Sequence, residues 1–171
     1  MPQDISGYDV GALLYCPANA HHTVAQAVAA ERLPRPFSLA LCLEDTVRAD
    51  ALAAAEQAVE QTLHDLTDTA RQETFYRPLT FVRVRSPEQL ARLGRAYGKY
   101  RPLLTGFILP KFFIETCGAY CAVIRDLQAD GLDYFYMPVF EAPSMLPLHT
   151  RHAALAEVKA QLDALHECIL N

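Results

Sequence analysis

Ser38-Leu39-Ala40-Leu41-Cys42-Leu43-Glu44-Asp45 is the stretch on which the fold turns. The run from Ser38 to Leu43 is almost wholly apolar, and two carboxylates close it. A strand with one wet face alternates polar and apolar residues. A continuous apolar run means burial on both faces, as in a parallel sheet covered by helices. The residues that follow agree with this. Asp50 to Leu66 is Ala-rich, and Leu52, Ala55, Val59, Leu63 and Leu66 recur at helical spacing. Asp50 is placed to cap that helix, and Thr67 to Pro78 reads as a polar connection.

The same strand-then-helix unit recurs on both sides. Upstream, Gly11 to Ala18 (GALLYCPA) reads as a buried strand ending at Pro17, and His21 to Glu31 as a helix with Asn19 as its cap. Downstream, Leu79 to Val84 (LTFVRV) is a strand. Ser86-Pro87-Glu88-Gln89 then opens a helix to about Tyr97, with Ser as N-cap, Pro at the first turn and Gln three residues on. Gly106 to Leu109 and Tyr134 to Phe140 are further strands, followed by helices over Ile114 to Gln128 and Arg151 to Leu170. About five β-then-α units follow, an α/β chain with right-handed crossovers and a parallel sheet. Two architectures fit: a partial (β/α)8 barrel of about five units, or an open doubly wound sheet. Periodicity does not separate them.

Composition sets the outer limits. The chain has 171 residues, 51% hydrophobic and 20% charged, with a formal net charge of -5. This is one soluble domain and not a disordered chain. The acidity argues against nucleic acid as a partner. No apolar run approaches membrane-spanning length, so no membrane partner is expected. The start, MPQDISGYDVG, lacks a basic and apolar leader. Five widely spaced cysteines, an odd count, fit a reducing cytoplasmic setting, and Cys117 and Cys121 read as buried apolar residues. Phosphate-loop, dinucleotide-binding and nucleophile-elbow motifs are all absent from the sequence. A closed barrel of eight units needs about 250 residues, so residues 1–171 are expected to be a single domain holding the N-terminal part of one.

In either architecture ligands bind at the carboxyl ends of the strands. The polar residues there are Asn19, Glu44, Asp45, Arg83, Arg85, Lys111 and Glu141. Carboxylates are hard ligands of the kind Mg2+ takes, and Arg grips carboxylates in a fork. The set therefore suits a small anionic substrate beside a divalent metal. Arg83, inside an apolar strand, needs a partner for its charge. Of Arg83 and Arg85, two apart on one face, one is expected to serve the site and the other to meet solvent. His21 and His22 open a helix, where anions bind, but read more simply as exposed residues.

These strand ends resemble a known family, the citrate lyase beta-subunit-like aldolases and lyases. Leu14-Tyr15-Cys16-Pro17-Ala18-Asn19 is similar to that family's F-V-P-G-N segment, and Leu43-Glu44-Asp45-Thr46-Val47 to its D-L-E-D-x-V motif. Val82-Arg83-Val84-Arg85 resembles V-R-V-N, Leu109-Pro110-Lys111 resembles L-P-K, and Pro138 to Ala142 falls where the family has P-x-I-E-T. The text is most similar to a branch of C–C bond lyases of the TIM-barrel fold, linked to tellurite-resistance-type gene clusters.

The resemblance implies a metal-dependent C–C lyase or aldolase acting on a 2-keto acid or an acyl-CoA thioester. It implies Mg2+ on Glu141, and a substrate carboxylate on Arg83. Glu44 and Asp45 would hold metal-bound water or orient a substrate group, with Asn19 and Lys111 as further substrate-binding residues. Two positions depart from the pattern: Ala20 follows Asn19 where the family has Arg, and Arg85 replaces Asn. The family's second acidic metal ligand belongs to a sixth strand, so weak Mg2+ binding is expected. Five strands in an arc leave open edges, and a homo-oligomer is expected. The alternative reading is a non-catalytic remnant of the fold that binds an anion or a partner.

Overall fold

The structure is a computed structural model describing residues 5–170; the side chains of His21 and His22 lie outside that description. Five strands form a single sheet: β1 (Leu13–Pro17), β2 (Ser38–Cys42), β3 (Thr80–Arg83), β4 (Leu104–Leu109) and β5 (Phe135–Pro138). Every neighbouring pair is parallel, and the order across the sheet is β1-β2-β3-β4-β5. A doubly wound sheet grows outward in two directions from a central switch point. Here each strand lies beside its predecessor, which is how a barrel wall is wound. Strand order thus decides between the two architectures in favour of the partial barrel.

The two faces of the sheet differ as a barrel wall requires. Leu39, Leu41, Val82, Phe107, Leu109 and Tyr136 point to the large core, shared with α2 (His21–Ala29), α3 (Leu52–Gln72), α4 (Pro87–Ala96), α5 (Cys117–Ala129) and α6 (Leu148–Asp163). The alternate residues Ala40, Phe81, Ile108 and Phe135 form a second, smaller cluster with Val10 of the short helix α1 (Gly7–Val10). Period-two alternation carries that inner face up each strand. It is apolar at the amino end, with Leu79 and Phe81, and becomes charged at Arg83.

Gly106 permits the close approach of β4 to β5. A Cβ there would lie 1.8 Å from the Phe135 carbonyl oxygen, so no other residue fits without parting the strands. Past β5 the sheet continues with one parallel bridge, Tyr136 to Ile169, and the Leu170 amide donates to the Tyr136 carbonyl at 2.8 Å.

Several local expectations need correction. Asp50 does not cap α3: it sits in a 3-10 turn, Ala49–Ala51, and pairs with Arg48 at 3.0 Å. The helix also runs on through Gln72, because Thr67 and Thr69 return their hydroxyls to the carbonyls of Leu63 and Asp65 and so remain in helix. Asn19 lies in the 3-10 turn Ala18–Ala20 and the α2 cap position falls to Ala20. The last helix ends at Asp163, and a 3-10 turn at His166–Cys168 leads into the Ile169 bridge. The Ser86 cap is as expected, its hydroxyl accepting from the Gln89 amide at 3.3 Å. Cys117 and Cys121 are both buried.

Candidate functional site

Parallel register brings the carboxyl ends of β1 to β5 to one rim, and parity turns their last inner-face residues toward one another. Arg83, at the end of β3, is the hub. Its Nη2 lies 2.6 Å from Glu141 Oε1 and 3.0 Å from Glu44 Oε2, and Asp45 Oδ2 is 3.7 Å away. Lys111 reaches the same group from the loop after β4, with Nζ 2.7 Å from Glu44 Oε1 and 3.8 Å from Asp45 Oδ1. Tyr15, at the carboxyl half of β1, places its ring 5.9 Å from the Arg83 guanidinium carbon. Four of the five strand ends thus contribute a charged group, and the fifth contributes an aromatic face.

Burial divides these roles. Glu44 is 6% exposed and Arg83 12%, whereas Asp45 is 69% exposed. A buried charge persists only when paired, and these two are paired with each other. Burial on its own raises Glu44. Hydrogen bonds from Asp45 and Lys111, with the charges of Arg83 and Lys111, outweigh it and hold Glu44 below the usual carboxylate range. Its neighbour moves the other way: the hydrogen bond to Glu44 and the adjacent negative charge raise Asp45. The two adjacent carboxyl groups are thus shifted in opposite directions. Burial lowers Arg83, but Tyr15, Glu141 and Glu44 together hold it above its ordinary value.

Backbone geometry fixes the cluster. Lys111 adopts a left-handed φ of 50°, which costs a non-glycine residue about 1 kcal/mol or more. In that conformation its amide donates to Glu141 Oε1 at 3.2 Å while its side chain reaches Glu44. The Nε of Arg83 is buried and has no hydrogen-bond partner among the described residues.

Arg85 is half-buried and does not simply point to solvent, as alternation with Arg83 suggested. β3 ends at Arg83, so the alternation ends there too. The Arg85 guanidinium turns to the loop after β2, donating to the carbonyls of Leu43 at 2.6 Å, Glu44 at 3.1 Å and Val47. Its own amide donates to Gln89 Oε1 at 2.7 Å. Arg85 therefore pins the segment that carries Glu44. Together with Glu44, Asp45, Val47 and Lys111 it lines a cavity of about 380 Å³.

The structure brings Glu44, Asp45, Arg83, Lys111 and Glu141 together. Asn19 is exposed at the same rim, and no hydrogen bond or ion pair joins it to the cluster among the described residues. Tyr15 was not among the sequence candidates. Its signal was present in the spacing, since Tyr15 lies two residues before Pro17 at the strand end. A larger cavity, about 640 Å³, lies at the opposite end of the strands between Arg77, Leu104 and Phe135, away from all of these residues.

The donor set bears on a metal. Glu44, Asp45 and Glu141 are hard oxygen donors suited to Mg2+. Among the described residues, no group of three or more His, Cys, Asp or Glu side chains forms a ready-made metal cage. Three cations, Arg83, Arg85 and Lys111, face three carboxylates, 3 − 3 = 0, so the rim carries no net charge. No helix is long and apolar enough to cross a membrane among the described residues.

A family model, the C–C bond lyase of the TIM-barrel fold, matches residues 4–171. Among solved structures, the citrate lyase beta subunit of Mycobacterium tuberculosis, complexed with oxaloacetate and magnesium, is similar at 23% identity and a TM-score of 0.45. That match covers 74% of this chain and 46% of that one. The protein CitE of Mycobacterium tuberculosis, in complex with magnesium and pyruvate, matches at 15% identity and a TM-score of 0.27, over 74% of this chain and 72% of that one. The chain thus spans under half the length of the first of these structures. Comparison with curated proteins returns no match.

Proposed function

Because the chain belongs to the family of C–C bond lyases of the TIM-barrel fold, we propose that its rim is the substrate end of a metal-assisted lyase or aldolase site for a 2-keto acid. The observation that carries this reading is the convergence of Glu44, Asp45 and Glu141 on the single Arg83 Nη2, with Lys111 closing the group. Residues 1–171 would form one domain, the N-terminal part of a (β/α)8 barrel.

Arg83 would bind the substrate carboxylate through its guanidinium, beside Glu141. Glu141 would hold Mg2+, which when bound supplies Lewis-acid polarisation of the keto oxygen. With one well-placed carboxylate and the remaining positions left to water, binding of the ion would be weak. Glu44 stays ionised and keeps Arg83 and Lys111 in place. Asp45, exposed and raised by Glu44, would carry the proton to and from the carbon next to the carbonyl. Lys111 would stabilise negative charge as it develops on the substrate. Asn19, at the same rim, would contact the substrate's outer end. The reading covers the free keto acid, with the acyl-CoA thioester as the alternative substrate. Exposed Leu14 and Tyr15 on edge strand β1 support self-association as part of the same reading, in a cytoplasmic setting.

Calorimetric titration with pyruvate in the presence of Mg2+ tests the binding half of this proposal. Pyruvate should bind to the wild type, bind more weakly to Glu141→Gln, and fail to bind to Arg83→Met. Equal affinity in Arg83→Met would overturn it.

A further inference from the structure

Glu141 stands between two environments of opposite character. Its carboxylate meets Arg83 in the charged cluster, and the same residue lines a second cavity of about 400 Å³. The walls of that cavity are Phe140, Ala142, Pro143, Met145 and Leu146. Phe140 is 40% exposed and Leu146 74%, an unusual placement for large apolar side chains beside a charged rim.

The walls are held, not loose. The Phe140 ring meets the fully buried Phe112 ring edge-on, with centroids 6.1 Å apart. Pro143–Met145 form a 3-10 turn that begins with proline. The one cation in the lining, Arg151, is already engaged: its Nε donates to the Met145 carbonyl at 2.5 Å and its Nη2 to the Leu146 carbonyl at 2.9 Å. Arg151 therefore braces the loop, and the ligand-facing character of the cavity is apolar.

We infer that this cavity is the subsite for the side group of the substrate, and that the chain takes a 2-keto acid bearing an aryl or branched-alkyl group. The inference rests on the reading of Arg83 as the carboxylate clamp. A keto acid has its carboxylate and its side group at opposite ends of a short skeleton. The charged cluster and the apolar cavity meet at one residue, Glu141, which matches that arrangement. A methyl group alone would leave most of the apolar wall wet.

Titration calorimetry in the presence of Mg2+, with pyruvate and phenylpyruvate as the two probes, tests this. Phenylpyruvate should bind the wild type at least about ten-fold more tightly, the scale on which an apolar pocket rewards a group that fills it. Leu146→Ser, at an exposed position where folding is not at stake and with no charge added, should lower the phenylpyruvate affinity toward that of pyruvate. Phe140→Ala should act in the same direction. Pyruvate binding with no advantage for phenylpyruvate, or an advantage that survives both Leu146→Ser and Phe140→Ala, overturns the subsite and leaves the clamp standing. Binding of neither probe overturns the clamp and the subsite with it.

Discussion

Arg83 and Glu141 lie 58 residues apart in sequence, yet the Arg83 Nη2 stands 2.6 Å from Glu141 Oε1. Strands β3 and β5 are not neighbours, since β4 runs between them. Only long side chains reaching across the inner face at the carboxyl end can meet there. The contact is thus a product of parallel register and of barrel-type curvature at once.

Arg83 also neutralises the buried Glu44. Removing one partner of a buried pair leaves the other charge uncompensated, at a cost of about 3 kcal/mol. Arg83→Met should lower the melting temperature by about 6–12 °C for a chain of this size, measured by thermal denaturation followed by circular dichroism. An unchanged midpoint would mean that Lys111 alone satisfies Glu44.

Acid should act through Glu44. Its folded pKa lies below the unfolded value, so its contribution to stability is complete above the ordinary carboxylate range. The contribution is lost as pH falls through the folded pKa. Glu44→Gln lacks it at every pH. At neutral pH the variant should be less stable by about 1.5–3 kcal/mol. The gap should close in acid below about pH 4, as read from urea midpoints across pH.

Arg85 satisfies three backbone carbonyls with one planar group. Lysine, a single point donor, cannot reproduce that geometry. Arg85→Lys should cost about 2 kcal/mol, and amide hydrogen exchange should rise over residues 43–47 while β4 stays protected.

Gly106→Ala should be far more damaging than an ordinary strand substitution. The new Cβ would overlap the Phe135 backbone oxygen, so β4 and β5 must separate or the chain must misfold. We expect a loss of about 3 kcal/mol or more, or failure to recover soluble protein.

Self-association is the expected response to the exposed edge at β1, where Leu14 is 39% and Tyr15 42% exposed. Light scattering coupled to size exclusion should give a mass above that of one chain. A monodisperse monomer at all concentrations would contradict it.

Much of this was legible in the sequence, and the misses have physical causes. Ser38 to Leu43 announced a strand buried on both faces, and every residue of β2 is buried. That Glu44, Arg83, Lys111 and Glu141 share one rim was legible because the residue that ends a strand is visible as the break in an apolar run. Strand order was not legible, because hydrophobic period says nothing about which strand lies beside which. Arg85 was misread because alternation holds only while the chain stays extended, and β3 stops at Arg83. Tyr15 was missed because an aromatic residue in an apolar run looks like core. It stays half exposed because β1 has a strand on one side only among the described residues. The end of α3 was placed too early because Thr67 and Thr69 read as loop residues, while their hydroxyls are in fact satisfied inside the helix.

The central claim is that this rim draws a 2-keto acid toward its enolate, and proton exchange at the carbon beside the carbonyl measures that directly. Pyruvate in D2O with Mg2+ and the protein, followed by proton NMR, should lose its methyl signal faster than in buffer with Mg2+ alone. The Asp45→Asn and Arg83→Met variants should fall back toward the buffer rate. Pyruvate that binds to the wild type yet exchanges no faster than in buffer would contradict the account and leave an anion-binding remnant of the fold in its place.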